Sequence, residues 1–215
     1  MSALSRGAMI VFEGCDRCGK STQSLKLVDY LQSLGRRVQL FRFPDRSTDI
    51  GKTIDSYLQR KSDLDDHAVH LMFSANRWEM RSKMKALLEE GITLIVDRYA
   101  YSGVAFTTAK HHFNLEWCKM ADSGLIAPDV VLFLDLPLEE AAKRGKYGDE
   151  RYENLEFQRK VSDVYSRLKE QNWKILNASQ SIDDLQDEIR EIVEDVMNNT
   201  TDKKLQTLWP LNTDF

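Results

Sequence analysis

The stretch Ala8-Met-Ile-Val-Phe12, followed by Glu13 and then Gly14-Cys-Asp-Arg-Cys-Gly19-Lys20-Ser21, decides the fold. Five apolar residues, partly β-branched and ended by a glycine, read as a short strand buried on both faces. Beyond the loop, Leu27, Tyr30, Leu31 and Leu34 recur at i, i+3, i+4 and i+7, which is a helical period, and Gly35 supplies a stop. The residues between follow the pattern glycine, four residues, Gly-Lys-Ser. Glycines let successive backbone N–H groups turn inward, and the helix start adds partial positive charge. Lys20 can then reach outer phosphates, and the Ser21 hydroxyl suits Mg²⁺. Strand, loop and helix in that order read as a phosphate cradle, and a merely structural glycine turn is the weaker reading.

Outward from this segment, Val38 to Phe43, Thr93 to Val96, Val130 to Leu134 and Trp173 to Leu176 are further short β-type runs separated by helical patterns. Near the end, Ile182, Leu185, Ile189, Ile192 and Val196 form one apolar stripe. This alternation predicts an α/β fold: about five parallel strands with helices on both faces, and ligands bound at the strands' carboxyl ends. No repeat, low-complexity tract or proline-rich linker interrupts the chain, so residues 1–215 are expected to form one domain.

With 42% hydrophobic and 30% charged residues, the chain of 215 can bury its own core without a disulfide or metal staple. A net charge of −4 argues against a nucleic-acid partner, although a local basic site remains open. No apolar run approaches the roughly 18 residues of a membrane helix, and Met1 to Gly7 lacks a secretory pattern. Three cysteines, an odd number, point to reduced thiols. A cytoplasmic home is expected, with a nuclear or mitochondrial share left open.

Charged residues cluster where the fold would place a ligand. Asp16 and Arg17 stand inside the loop: the carboxylate needs a partner other than phosphate, and the arginine suits charge on a transferred phosphoryl group. Asp97 and Arg98 close the Thr93 run, where an acid can hold Mg²⁺ directly or through water and a guanidinium can grip phosphate. Arg46 follows the second strand in the same way, so two phosphate positions are expected, one for a donor and one for an acceptor. Asp66 to Gly91 reads as a helix with Leu71, Ala75 and Trp78 as its apolar stripe. Phe73 and Arg77 fall on the far side near His70, where they would either hold a planar base or belong to a helix buried on two sides. The charged segment Ala142 to Glu153, with Gly145 and Gly148, reads equally as a mobile cover or as a solvated loop. Cys15-x-x-Cys18 has too few companions for zinc, and small-residue packing is preferred to a redox switch.

Five segments in order carry a resemblance. They are Phe12-Glu-Gly-Cys-Asp-Arg-Cys-Gly-Lys-Ser-Thr22, Phe43-Pro-Asp-Arg-Ser-Thr48, Leu71-Met-Phe-Ser-Ala-Asn-Arg-Trp-Glu79, Val96-Asp-Arg-Tyr-Ala-Tyr-Ser-Gly-Val-Ala-Phe106 and Gly148-Asp-Glu-Arg-Tyr-Glu-Asn154. Together they resemble the thymidylate kinases, nucleoside-monophosphate kinases with a P-loop NTPase-type fold, and most closely the eukaryotic form. The resemblance implies transfer of phosphate from ATP to thymidine monophosphate (dTMP) with Mg²⁺. Arg17, Cys18, Gly19, Lys20, Ser21, Thr22 and Arg144 would bind ATP across the phosphate loop, residues 14–22. Phe43, Arg46, Leu58, Phe73, Arg77, Arg98, Gly103, Phe106 and Tyr152 would hold dTMP, with Asp16 at its sugar hydroxyl. Asp16, Arg17, Lys20 and Arg98 would be catalytic, Ser21 and Asp97 would serve the metal, a lid would span about 141–154, and the protein would form a homodimer. A kinase for another pyrimidine monophosphate, or an ATP-binding regulator without transfer, are the rival readings. Cys15 and Cys18 stand where small aliphatic residues are usual, and the tail 208–215 has no assigned role.

Overall fold

The structure is a computed structural model describing residues 6–110, 112–144, 148, 150–200 and 202–210. Part of the expected lid (145–147 and 149) and of the tail (211–215) lies outside the described residues. Five strands form one sheet: β1 (Met9–Glu13), β2 (Val38–Arg42), β3 (Thr93–Asp97), β4 (Val130–Asp135) and β5 (Trp173–Asn177). All neighbours are parallel and the order is β2-β3-β1-β4-β5. Each strand falls within one residue or so of its expected bounds.

The helices are α1 (Lys20–Ser33), α2 (Asp49–Leu58), α3 (Asp66–Glu89), α4 (Ala100–Thr108), α5 (Leu115–Met120), α6 (Leu138–Lys143), α7 (Leu155–Leu168) and α8 (Ile182–Thr200). Side chains alternate across a strand, and β1 shows the consequence. Met9 and Val11 enter a core shared with α3, α4, α5 and α7, whereas Ile10 and Phe12 enter a second core built from α1, α6 and α8. A smaller apolar cluster joins α2 to the start of α3 through Ile54, Tyr57, Leu58 and Val69.

One stripe that the sequence left without an orientation faces outward. On α3 the Leu71 and Trp78 side chains are exposed, while His70, Ser74, Asn76 and Arg77 are buried. Helical period identifies a face but not which side of it the protein covers; here α4 and the α5–β4 turn supply polar partners, so the polar face lies inside.

The order of the strands places the site. The chain leaves β1 at mid-sheet, goes to the β2 edge and returns through β3, then crosses to β4 on the other side of β1. The carboxyl ends of β1, β2 and β3 therefore face one crevice.

Candidate active site

Along that crevice runs a cleft of about 1140 Å³. At its floor is the loop after β1. Gly14 has φ 141°, and a Cβ there would lie 2.7 Å from the Leu134 carbonyl oxygen and 2.8 Å from Cys18 Sγ, so this turn requires glycine. Arg17 and Gly19 also have positive φ, which folds the backbone into a concave nest. Helices α2, α3, α5 and α7 are capped by the side chains of Thr48, Asp65, Asn114 and Asn154. By contrast α1 starts at Gly19 with no side-chain cap, which leaves its amide end suited to an anion. Lys20 Nζ arches over the loop, donating to the carbonyls of Gly14 (3.0 Å) and Cys15 (2.6 Å).

Around the loop, charged side chains pair with one another. Ser21 Oγ donates to Asp97 Oδ2 at 2.6 Å, and Arg42 Nε donates to the same oxygen at 2.9 Å. Arg42 and Asp97 are register partners on β2 and β3, which is why they meet. Asp16 accepts from Arg98 Nη2 and, at 2.7 Å, from Gln158 Nε2, while its own N–H donates to Gln158 Oε1 at 3.0 Å. Arg98 is held at φ 67°, an uncommon conformation for a non-glycine residue. Burial opposes its charge, but Asp16, Tyr165, Asp97 and Glu13 outweigh burial and keep the guanidinium firmly protonated. Arg17 Nε donates to Glu153 Oε1 at 2.6 Å. Burial raises the Glu153 carboxyl, but the bond from Arg17 and the Glu150 and Gly148 amides prevail and hold it below its ordinary range. Arg46 bridges Asp55 (2.6 Å) and Glu150 (2.7 Å), and Arg144 lies across the loop with Nη1 2.8 Å from the Arg17 carbonyl oxygen.

The other end of the cleft is apolar and aromatic. Phe43, Leu58, Phe73, Phe106 and Tyr152 line it, the Phe106 and Tyr152 rings lying 5.6 Å apart. Arg77 forms a fork with Asp122, Nε to Oδ1 at 3.0 Å and Nη2 to Oδ2 at 2.6 Å, and both side chains are buried. Gly103 makes room for it, since a Cβ there would lie 2.7 Å from Arg77 Nη2.

Every site residue expected from the sequence lines this one cleft except Cys18. Its side chain is buried in the α1 core, where Sγ accepts from Lys20 Nζ at 3.4 Å, so what it turns toward the cleft is backbone. Cys15 enters the opposite core, and burial, with Cys18 beside it, pushes its thiol up to about 12. A thiol of that kind is little ionised at neutral pH and a poor redox sensor.

Sequence reasoning missed the residues that hold the expected ones: Arg42, Asp122, Gln158 and, fully buried, Glu13. The Glu13 carboxylate accepts from the amides of Tyr99 (2.9 Å) and Ser102 (3.1 Å) at the start of α4, and from the hydroxyls of Ser102 (2.6 Å) and Tyr165 (2.9 Å). Burial raises its pKa, and the Ser102 hydroxyl, Arg98, the Tyr99 amide and the Tyr165 hydroxyl only partly offset that. Only Gln158 left a signal, as a polar residue on the stripe that α7 buries with Val161, Tyr165 and Leu168.

A phosphate nest, two sets of arginines and an aromatic pocket with a buried arginine thus share one crevice. The family model described as thymidylate kinase matches residues 12–189. This chain belongs to the thymidylate kinase family. The thymidylate kinase of Homo sapiens is 55% identical over 210 residues, covering 96% of this chain and 99% of the relative. That of Arabidopsis thaliana is 54% identical, covering 97% and 79%. The solved structure of the Candida albicans thymidylate kinase superimposes with a TM-score of 0.86 at 38% identity, covering 95% of this chain and 99% of that one. The P-loop NTPase-type fold of the family is the fold described above.

Proposed function

We propose that this chain transfers the γ-phosphoryl group of ATP to dTMP, giving ADP and thymidine diphosphate. The observation that carries the reading is the single cleft in which a phosphate loop faces Arg46 and Arg98 at one end and Phe73 and Arg77 at the other. Donor and acceptor phosphates would meet between them, in the arrangement in-line transfer requires.

The amides from Arg17 to Thr22, with Gly19 at the turn, and Lys20 would cradle the ATP phosphates, and Arg144 would cover them from the lid segment. Arg17 would stabilise charge on the transferred group, and Arg46 and Arg98 would grip the acceptor phosphate. Their present partners are carboxylates (Glu153, Asp55, Glu150 and Asp16), which a phosphate can replace in kind. Asp16, steadied by Gln158, would receive the sugar hydroxyl. Phe73 would stack on thymine, and the Arg77 edge not engaged by Asp122 would bond a base carbonyl. Phe106 would crowd a 2′ hydroxyl, and Phe43, Leu58 and Tyr152 would close the pocket around the nucleotide.

Among the described residues no group of three His, Cys, Asp or Glu could hold a metal ion. The oxygen pair Ser21 and Asp97 fits Mg²⁺, which takes one or two protein oxygens and completes its shell with phosphates and water. Bound there, Mg²⁺ would neutralise charge on the phosphates. A homodimer belongs to the same reading, supported by Leu71 and Trp78, exposed on the outer face of α3. Three free, buried cysteines support a cytoplasmic home. Among the described residues no helix is long and apolar enough to cross a membrane.

The test is ADP release from ATP and Mg²⁺ with each common nucleoside monophosphate offered in turn. Release driven chiefly by dTMP supports the reading. If another monophosphate wins, the base pocket has been misassigned; if none acts while ATP binds, the transfer reading falls.

A further inference from the structure

Resting on that reading, we infer that the C-terminal segment 205–209 is a specificity element of the base site, acting through Asp122 on Arg77. The side chain proposed to read the base is oriented by the two-pronged bond from Asp122. Asp122 belongs to no helix or strand; it sits in the turn between α5 and β4, so the turn's position must be set by what packs against it.

Helix α3 and the C-terminal segment supply most of those contacts, with the Tyr99 side chain bonding the Ile126 backbone beyond them. Helix α3 contributes Ser74 Oγ to the Ala121 carbonyl (2.7 Å), Trp78 Nε1 to the same carbonyl (2.8 Å) and Arg81 Nε to the Gly124 carbonyl (3.1 Å). The C-terminal segment contributes backbone pairing: Gly124 N–H to Leu208 O (2.9 Å), Leu208 N–H to Leu125 O (2.7 Å) and Ala127 N–H to Gln206 O (2.9 Å). Ser123 Oγ, next to Asp122, donates to the Trp209 carbonyl. This strap is itself anchored. Leu208 is buried in the core, and the Trp209 indole donates to Glu170 at 2.8 Å while lying edge-on to Tyr101, 5.2 Å between ring centres. Tyr101, on α4, donates its own hydroxyl to Glu170 at 3.0 Å. The turn carrying Asp122 is thus held by both α3 and the strap, and releasing the strap leaves the Asp122–Arg77 pair supported chiefly by α3, whose Ser74 Oγ also donates to Asp122 Oδ1 at 2.9 Å. Nothing in the strap lines the cleft, so its influence is positional and falls on the base end alone.

Trp209→Ala and Trp209→Phe in the full chain test this, with kcat, both KM values and the melting temperature read for each. Trp209→Ala should raise KM for dTMP about tenfold while KM for ATP and kcat stay within about twofold. Trp209→Phe, which keeps the ring against Tyr101, should recover most of the loss. Truncation after Lys204 should act in the same direction and more strongly. If that chain fails to fold, the two point variants still decide. An unchanged KM for dTMP in Trp209→Ala, or both KM values rising together, overturns the proposal. Wild-type protein that fails to use dTMP would instead overturn the substrate reading, so the two failures are distinct.

Discussion

The two ends of the cleft are built on opposite plans. At the phosphate end, charges sit on loops and strand tips and form pairs in which at least the arginine is partly open to water: Arg46 with Asp55 and Glu150, Arg17 with Glu153. At the base end, one ion pair, Arg77 with Asp122, is sealed between α3 and the α5–β4 turn at 2% and 0% side-chain exposure. Partly exposed pairs are weak and exchangeable, as a site that must accept and release polyphosphates requires. A sealed pair is costly to break and holds one orientation, as the proposed recognition of a planar base requires.

The sharpest way to break this contrast is Arg77→Met. It leaves Asp122 buried without its partner, and unfolding in urea should show a loss of about 3–5 kcal/mol. A loss under about 1 kcal/mol would put this pair in the same class as exposed ones. At the phosphate end, Lys20→Met should lower kcat/KM by about 10²–10³-fold in steady-state assays, the scale for removing one donor to transition-state charge. A near-normal kcat/KM would remove Lys20 from catalysis. A milder perturbation of the base end is Gly103→Ala, whose new methyl meets Arg77. KM for dTMP should rise on the order of tenfold with KM for ATP unmoved, since small displacements of a positioning group are felt at that level; equal effects on both substrates would erase the division between the ends.

The smallest effect concerns acid. The Glu153 carboxyl is held below its ordinary value of 4.5, so it adds stability above that pH, and the contribution is lost as pH falls through the depressed value. Urea midpoints measured downward from pH 5 should therefore fall more steeply in the wild type than in Glu153→Gln. Parallel curves would mean that Arg17 and Glu153 do not hold each other in solution.

How much was legible follows the same division. The phosphate loop is local: Gly14, Gly19, Lys20 and Ser21 lie within eight residues, and strand and helix periods on either side announce their setting. Asp97 and Arg98 were readable because a carboxylate ending an apolar strand is itself a pattern. The partners were not. Asp122 lies in a turn without periodicity, 45 residues from Arg77. Arg42 meets Asp97 only through strand register, across 55 residues. The α3 stripe could be drawn from the sequence but not oriented, because a helical period gives the angle between faces and says nothing of what each face meets.

From the sequence alone came the α/β alternation, the five strands, the phosphate cradle and the positions of the arginines. These depend on backbone geometry over a few residues, which local side-chain pattern dictates. The tertiary structure alone decided which carboxylate holds each arginine, that the polar face of α3 is the inner one, and that segment 205–209 clamps the turn carrying Asp122. Those facts depend on contacts between residues distant in the chain, whose energies are set by mutual burial and geometry, and a single sequence carries no local record of them.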